Sequence, residues 1–275
     1  MINFTKMHGL GNDFMVIDAI NQLINLTAEQ IRFLADRHFG IGFDQLLLVE
    51  KATSETADFT YRIFNADGSE VAQCGNGARC FARFVRDKGL SDKAEIRVDT
   101  HAGQLLLSFT EDDLITVNMG VPRHNPEQIP LVAEQEGLYY SVEIDGVAQG
   151  FGAVSMGNPH AVLVVDDVLN APVAQWGKFL ESHALFPERA NIGFMQVIDR
   201  DNIKLRVFER GCGETLACGS GACGAVVVGI EQGLLNNTVK AQLTGGSLVI
   251  NWAGRGYPVL MSGAAVLVFE GTIEL

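Results

Sequence analysis

Arg62-Ile-Phe-Asn-Ala-Asp-Gly-Ser-Glu-Val-Ala-Gln-Cys-Gly-Asn-Gly-Ala78 aligns without a gap on Arg206-Val-Phe-Glu-Arg-Gly-Cys-Gly-Glu-Thr-Leu-Ala-Cys-Gly-Ser-Gly-Ala222, at one offset of 144 residues (62 to 206, 74 to 218). Arg, Phe, Glu (Glu70 and Glu214), Cys, two Gly and Ala recur at matching places, which marks an internal duplication. Further echoes follow in the same order along the chain. Gly11-Asn12 resembles Gly157-Asn158 near the start of the second half, and Gly40-Ile-Gly-Phe43 resembles Asn191-Ile-Gly-Phe194.

Each half places an amphipathic helix before its Ile-Gly-Phe element. In the first, Thr27 and Gln30 make a capping box ahead of Ile31, Leu34 and Ala35. In the second, Val173, Trp176, Phe179 and Leu180 recur at helical spacing. Residues 45–50, 59–64, 104–109, 115–119, 161–165, 204–208, 247–252 and 266–269 are β-rich runs, so a sheet-rich lobe is expected in each half. A helix is predicted after each cysteine, over 78–87 and 222–232. The second is apolar all round through Ala225, Val226, Val227, Val228 and Ile230, which predicts burial.

A chain of 275 residues that is 47% apolar can build two cores of its own. The N-terminus lacks a basic region followed by a long apolar run, and no apolar stretch reaches the roughly 20 residues that span a bilayer. A cytoplasmic protein without a membrane partner is expected. Five cysteines, an odd number, do not make an extracellular disulfide framework and fit free thiols used for catalysis or metal binding. A net charge of −13 and the absence of a basic patch argue against nucleic acid. No Gly-rich loop has the spacing and context of a nucleotide site.

The chemistry of the repeat lies in Cys74 and Cys218. Changing configuration at a carbon that bears a hydrogen needs a base on one face and an acid on the other, and a duplicated protein supplies one group per half. Each cysteine stands where a Gly-rich turn enters a helix. The N–H groups and positive dipole end there would hold a thiolate below the usual value of about 8.5 and would also bind a carboxylate. Burying polar residues without partners is costly, so echoed Cys, Asn and Glu in turns mark a ligand-facing loop in each half, and the cleft between the lobes is the expected site. Cys80, Cys212 and Cys223 read as structural. Cys212, Cys218 and Cys223 lack the close pairs of a zinc site. His8, His38, His101, His124 and His183 read as structural, and Arg79 as an ion-pair or packing residue.

The two cysteine segments resemble the signatures of diaminopimelate epimerases, and Gly9-Leu-Gly-Asn-Asp-Phe14, Gly42-Phe-Asp-Gln45 and Gly157-Asn-Pro-His160 fit the same family. The resemblance covers essentially the whole chain. It implies an α+β fold of two pseudo-symmetric lobes, each a mixed sheet or barrel curled around a central helix, over 1–117 with 264–275 and over 118–263. It implies interconversion of LL- and meso-2,6-diaminopimelate, without pyridoxal phosphate, other cofactor or metal, by a homodimer. Cys74 and Cys218 would be the acid/base pair, tuned by His160 and Glu209. Gly75, Asn76, Gly219 and Ser220 would cradle the reacting carboxylate, with Gln45 and Glu209 completing that end. Asn12, Asn65, Asn158, Asn191 and Arg210 would hold the distant amino and carboxylate groups. Two alternatives stay open: a proline or hydroxyproline racemase, for which the distal-end residues would be surplus, and a thiol redox sensor or metal-binding module without turnover.

Overall fold

The computed structural model describes residues 1–71 and 74–275. The chain divides into two compact units, Met1–Asn118 with Ser262–Leu275, and Met119–Met261. Among the described residues no helix is long and apolar enough to cross a membrane.

In the first unit, strands Ile2–Gly9 and Asn12–Asp18 form a hairpin closed by Leu10 and Gly11, both at positive φ (59° and 88°). Helix α1 (Ala28–Ala35) then carries the chain to Gln45–Lys51, which runs parallel to Asn12–Asp18 with Phe14 opposite Gln45. Its start is the capping box read from the sequence: Gln30 N–H donates to Thr27 Oγ1 at 3.2 Å, and Thr27 N–H to Gln30 Oε1 at 2.9 Å. Phe59–Asn65 returns antiparallel, with Asn65 opposite Gln45, and Glu70–Val71 folds back on Ile63 and Phe64. After helix α2 (Gly75–Asp87) come the hairpin Glu95–Thr100/Gly103–Phe109 and the strand Ile115–Asn118, while Val266–Ile273 lies antiparallel to Ile2–His8.

The second unit repeats this order. Pro159–Val164 runs parallel to Asn191–Asp199, His160 opposite Asn191, with helix α3 (Val173–Glu181) between them. Asn202–Glu209 returns antiparallel, Gly213–Thr215 folds back on it, and helix α4 (Gly219–Glu231) follows. Both α2 and α4 are 13 residues long and keep the offset of the cysteine repeat. The next hairpin, Thr238–Leu243/Gly246–Trp252, starts by pairing parallel with Asn202–Lys204, as Glu95–Thr100 does with Phe59–Thr60.

Strand period two divides the packing of each sheet. In the first unit Met15, Ile17, Leu46 and Leu48 meet Ile31 and Leu34 of α1, and Phe14, Tyr61 and Ile63 face α2. In the second, Ile192, Phe194 and Phe208 belong to the layer under α3, while Val154, His160, Met195 and Val207 lie against α4. Helix α4 is buried from Gly219 through Gly229 except at Ser220, as its unbroken apolar run requires. Each valine removed from water there contributes on the order of 2 kcal/mol.

One sequence echo is not a structural one. Gly40-Ile-Gly-Phe43 is irregular chain before a strand, whereas Asn191-Ile-Gly-Phe194 opens a strand. Register shows that the counterpart of Asn191 is Gln45, since each begins the strand that runs parallel to the one carrying its partner, Phe14 for Gln45 and His160 for Asn191. The Ile-Gly-Phe match compared a loop with a strand of similar composition.

Candidate active site

Cys74 and Cys218 are the N-cap residues of α2 and α4, both with extended backbone (φ −145°, ψ 121° and φ −109°, ψ 107°). Neither helix begins with the Ser, Thr, Asp or Asn that usually satisfies the first N–H groups. The glycines that follow let each helix start lie close against its sheet. A Cβ on Gly77 would overlap the Tyr61 hydroxyl and come within 3.3 Å of Phe14. A Cβ on Gly221 would lie 3.0 Å from Val207 and 3.1 Å from Cys218 Sγ, and one on Gly224 3.1 Å from His160.

Around Cys74, the thiol donates to Asn12 Oδ1 at 3.8 Å and Asn76 Nδ2 donates to the same oxygen at 3.4 Å. Tyr61, fully buried, donates its hydroxyl to Cys74 O at 3.3 Å. On the neighbouring strands Gln45 Nε2 donates to Asn65 Oδ1 at 2.9 Å, and Asn65 Nδ2 to Ser69 Oγ at 3.2 Å. Gln45 Oε1 is buried without a hydrogen-bond partner among the described residues. Such orphaned acceptors are rare in folded proteins unless a ligand or water meets them.

Around Cys218, which is 4% exposed, Ser220 Oγ lies 3.7 Å from Sγ and accepts from Asn158 Nδ2 at 3.3 Å. Asn158 Oδ1 is 2.9 Å from His160 Nε2. The Glu209 carboxylate adjoins the Cys218 thiol and, through Oε1, accepts from the Thr215 hydroxyl. Asn191, buried, is committed to backbone on both sides of its amide: Nδ2 donates to Pro159 O at 3.1 Å and Oδ1 accepts from Arg210 N–H at 3.0 Å. It fixes the base of the Arg210 loop and, among the described residues, keeps one N–H to spare. Arg210 is exposed and donates to Glu188 O at 3.1 Å.

The electrostatics correct one expectation. Cys218 is pushed well above the ordinary thiol range, first by burial and then by the adjoining Glu209 carboxylate. The Gly221 N–H and the Ser220 hydroxyl favour the thiolate but are outweighed. A helix N-terminus lowers a thiol only when it exceeds the cost of desolvation, and here it does not. His160, 1% exposed, is lowered to about 3 by burial and then by the Arg210 charge, so the ring is neutral.

The positions that correspond by register are chemically unequal. Phe14, Gln45, Asn65 and Asn76 stand in the first unit where His160, Asn191, Glu209 and Ser220 stand in the second. Among these matched positions the titratable groups belong to Cys218.

Several supporting groups were not singled out in the sequence. Thr215, Tyr61 and Glu181, whose Oε1 accepts from Gly211 N–H at 2.7 Å beside Arg210, are among them. So is the network of Lys6, Asp13, Arg37 and Asp44 under Asn12. Only the Cys74 and Cys218 segments repeat with their polar residues, and these partners lie outside that signal or have unlike counterparts, Val71 for Thr215 and Leu205 for Tyr61. Arg79, read as packing, is fully buried and donates to Asn76 Oδ1 at 2.8 Å, so it does reach the site. Among the described residues no three His, Cys, Asp or Glu side chains cluster as metal ligands would.

Comparison with known proteins places this arrangement. The model of the family "Diaminopimelate epimerase" matches residues 4–125 and 152–268. The diaminopimelate epimerase of Nitrosospira multiformis is 56% identical over 274 residues, and that of Chromobacterium violaceum 58%, each alignment covering 100% of this chain and 99% of the relative. Among solved structures, a hydroxyproline epimerase from Agrobacterium vitis with bound trans-4-hydroxy-L-proline has a TM-score of 0.69 at 14% identity, covering 98% of this chain and 91% of that one. A phenazine biosynthesis protein of the PhzF family from Bacillus anthracis has a TM-score of 0.68 at 17% identity, covering 100% and 99%. Those two show a shared fold, whereas the full-length identity carries the relationship further: the chain belongs to the diaminopimelate epimerase family.

Proposed function

We propose that the protein interconverts LL-2,6-diaminopimelate and its meso isomer with its own thiols, without cofactor or metal. The observation that carries this reading is the placement of Cys74 and Cys218 as N-caps of two buried helices at equivalent points of a duplicated fold. The thiolate of one removes the α-proton and the thiol of the other returns a proton to the opposite face, so configuration changes and the protein ends one proton transfer from its starting state. The charge left by the departing proton spreads into the substrate carboxylate, where the N–H groups of Gly75, Asn76, Gly219 and Ser220 stabilise it.

Cys218 rests as the thiol, because burial and Glu209 oppose its ionisation. When it acts as base, Glu209 is in place to take its proton. Neutral His160 orients Asn158, and through it Ser220, beside the sulfur. Gln45 Oε1 is a buried acceptor suited to a substrate ammonium. Asn12, Asn65, Asn158, Asn191 and Arg210 hold the distant amino-acid end, for which a guanidinium offers bidentate contact to a carboxylate.

We place the enzyme in the cytoplasm, where its five free cysteines stay reduced, and as a homodimer. Val266, Leu267, Val268 and Phe269 are all exposed, on both faces of one strand, and a second copy covering them accounts for four successive apolar residues at the surface.

The test is incubation of reduced protein with LL-diaminopimelate in deuterated water, following the meso isomer and α-deuterium. Meso product carrying solvent deuterium is expected, and Cys74→Ala and Cys218→Ala each abolish it while remaining folded. Turnover of proline or hydroxyproline in its place, or full activity in either variant, would overturn the reading.

A further inference from the structure

An amide side chain can take either of two orientations about its last bond, and turning it over exchanges donor for acceptor. At Asn12 and Asn76 the neighbours remove that freedom. Asp44 carries a carboxylate, which when ionised only accepts, and its Oδ2 receives Asn12 Nδ2 at 2.9 Å and Asp13 N–H at 3.1 Å. Arg79 only donates, and its guanidinium gives to Asn76 Oδ1 at 2.8 Å. Asn12 must therefore turn its carbonyl oxygen inward, and Asn76 its NH2, so Asn76 Nδ2 meets Asn12 Oδ1 at 3.4 Å. The chain runs in one direction, from the donor-only cation through two amides to the acceptor-only anion. Cys74 lies beside its middle, with Sγ 3.8 Å from Asn12 Oδ1.

We propose that Asp44 and Arg79 are positioning residues that lock the two amides from opposite ends, so that Asn12 turns its oxygen and not its NH2 toward the Cys74 sulfur. Asp44 is itself anchored. Its Oδ1 accepts from Arg37 at 2.8 Å, Arg37 also holds Asp13 at 2.8 Å, and Asp13 pairs with the buried Lys6 at 2.6 Å. The lock is built into the first unit alone. In the second, Asn158 bonds a hydroxyl and an imidazole, each able to donate or accept, so no charge fixes its orientation. An acceptor against Cys74 favours the protonated sulfur and gives a defined resting place for the proton before substrate arrives. This role for Cys74 rests on the proposed function, but the orientation of the amides does not.

The test is alkylation of Cys74 by iodoacetamide as a function of pH, read by peptide mass spectrometry on the full-length protein without substrate. Asp44→Asn frees Asn12 to turn its NH2 toward the sulfur, and the half-maximal pH should fall by about one unit, about tenfold in rate at a fixed lower pH. Removing a negative charge would shift the profile in the same direction through space, so the deciding comparison is a cycle with Asn12→Ala. In the Asn12→Ala background the Asp44→Asn shift should shrink to the through-space part alone. An equal shift with and without Asn12, or no shift in either, overturns the proposal. Thermal melting and the unchanged labelling of Cys218 report folding, and Asp44→Ser replaces Asp44→Asn if that variant does not fold. Because labelling needs no turnover, loss of the proposed epimerase reading would leave this result standing, and the reverse also holds.

Discussion

Thr215 donates its hydroxyl to Glu209 Oε1, and the Glu209 carboxylate adjoins Cys218, so a residue whose counterpart in the first half is Val71 holds the carboxylate beside the sulfur. Thr215→Val keeps the shape of the side chain and removes that donor. Glu209 then loses its fixed direction while substrate contacts stay intact, so kcat should fall about tenfold with KM little changed. Steady-state kinetics in both directions check this. A raised KM at constant kcat would show that Thr215 acts on substrate binding and not through Glu209.

His160 makes stability depend on pH with a definite sign. Its folded value, about 3, lies below its value in an unfolded chain, about 6.5, so between these limits the unfolded state binds more protons. The contribution is fully present above pH 6.5 and is lost as pH falls toward 3. The limiting slope for one such group is about 1.4 kcal/mol per pH unit. Urea unfolding at pH 7.5, 6.0 and 5.0 should show this loss, and His160→Gln should flatten it. A parallel decline in the variant would assign the acid sensitivity to other groups.

Much of the fold was legible because strong local signals and packing agreed. The Thr27/Gln30 box formed as written, and the all-apolar run through Val226 and Val228 became the buried core helix of its unit. The helix after Cys74 was read from Ala78, but it begins at Gly75. Glycine is a poor helix former, and only the close approach of Tyr61 explains why a glycine is needed at 77. At the site, repetition exposed the cysteines and their neighbours. It could not expose Asp44, whose role depends on long-range register, or Thr215, whose counterpart in the first half is Val71, nor the sign of the Cys218 shift. That sign is set by how far burial outweighs a helix terminus, a quantity fixed by tertiary packing.

Gly77→Ala tests that close approach. The added methyl would press on the Tyr61 hydroxyl and the Phe14 ring, both fully packed. Overpacking of this kind costs about 1–3 kcal/mol, read as a lower denaturation midpoint. Tyr61→Phe removes the obstructing oxygen, so the double variant should recover part of the loss. Additive destabilisation in the double variant would mean the two residues do not meet at this point.

Exposed strands normally alternate, hiding one face and solvating the other. Val266–Phe269 do not: the four residues are 43%, 38%, 53% and 46% exposed in the single chain. Phe269 rests edge-on against Phe4, with ring centroids 6.0 Å apart, so the strand is firmly seated and its apolar surface is held in place. A second copy would bury that surface, and charge introduced there should oppose association without touching either cysteine loop. Leu267→Lys combined with Val268→Lys is therefore expected to sediment as a monomer at concentrations where the parent chain is a dimer, with an unchanged far-ultraviolet circular dichroism spectrum. If the parent is a monomer, or the double variant still pairs, the interface lies elsewhere or does not exist.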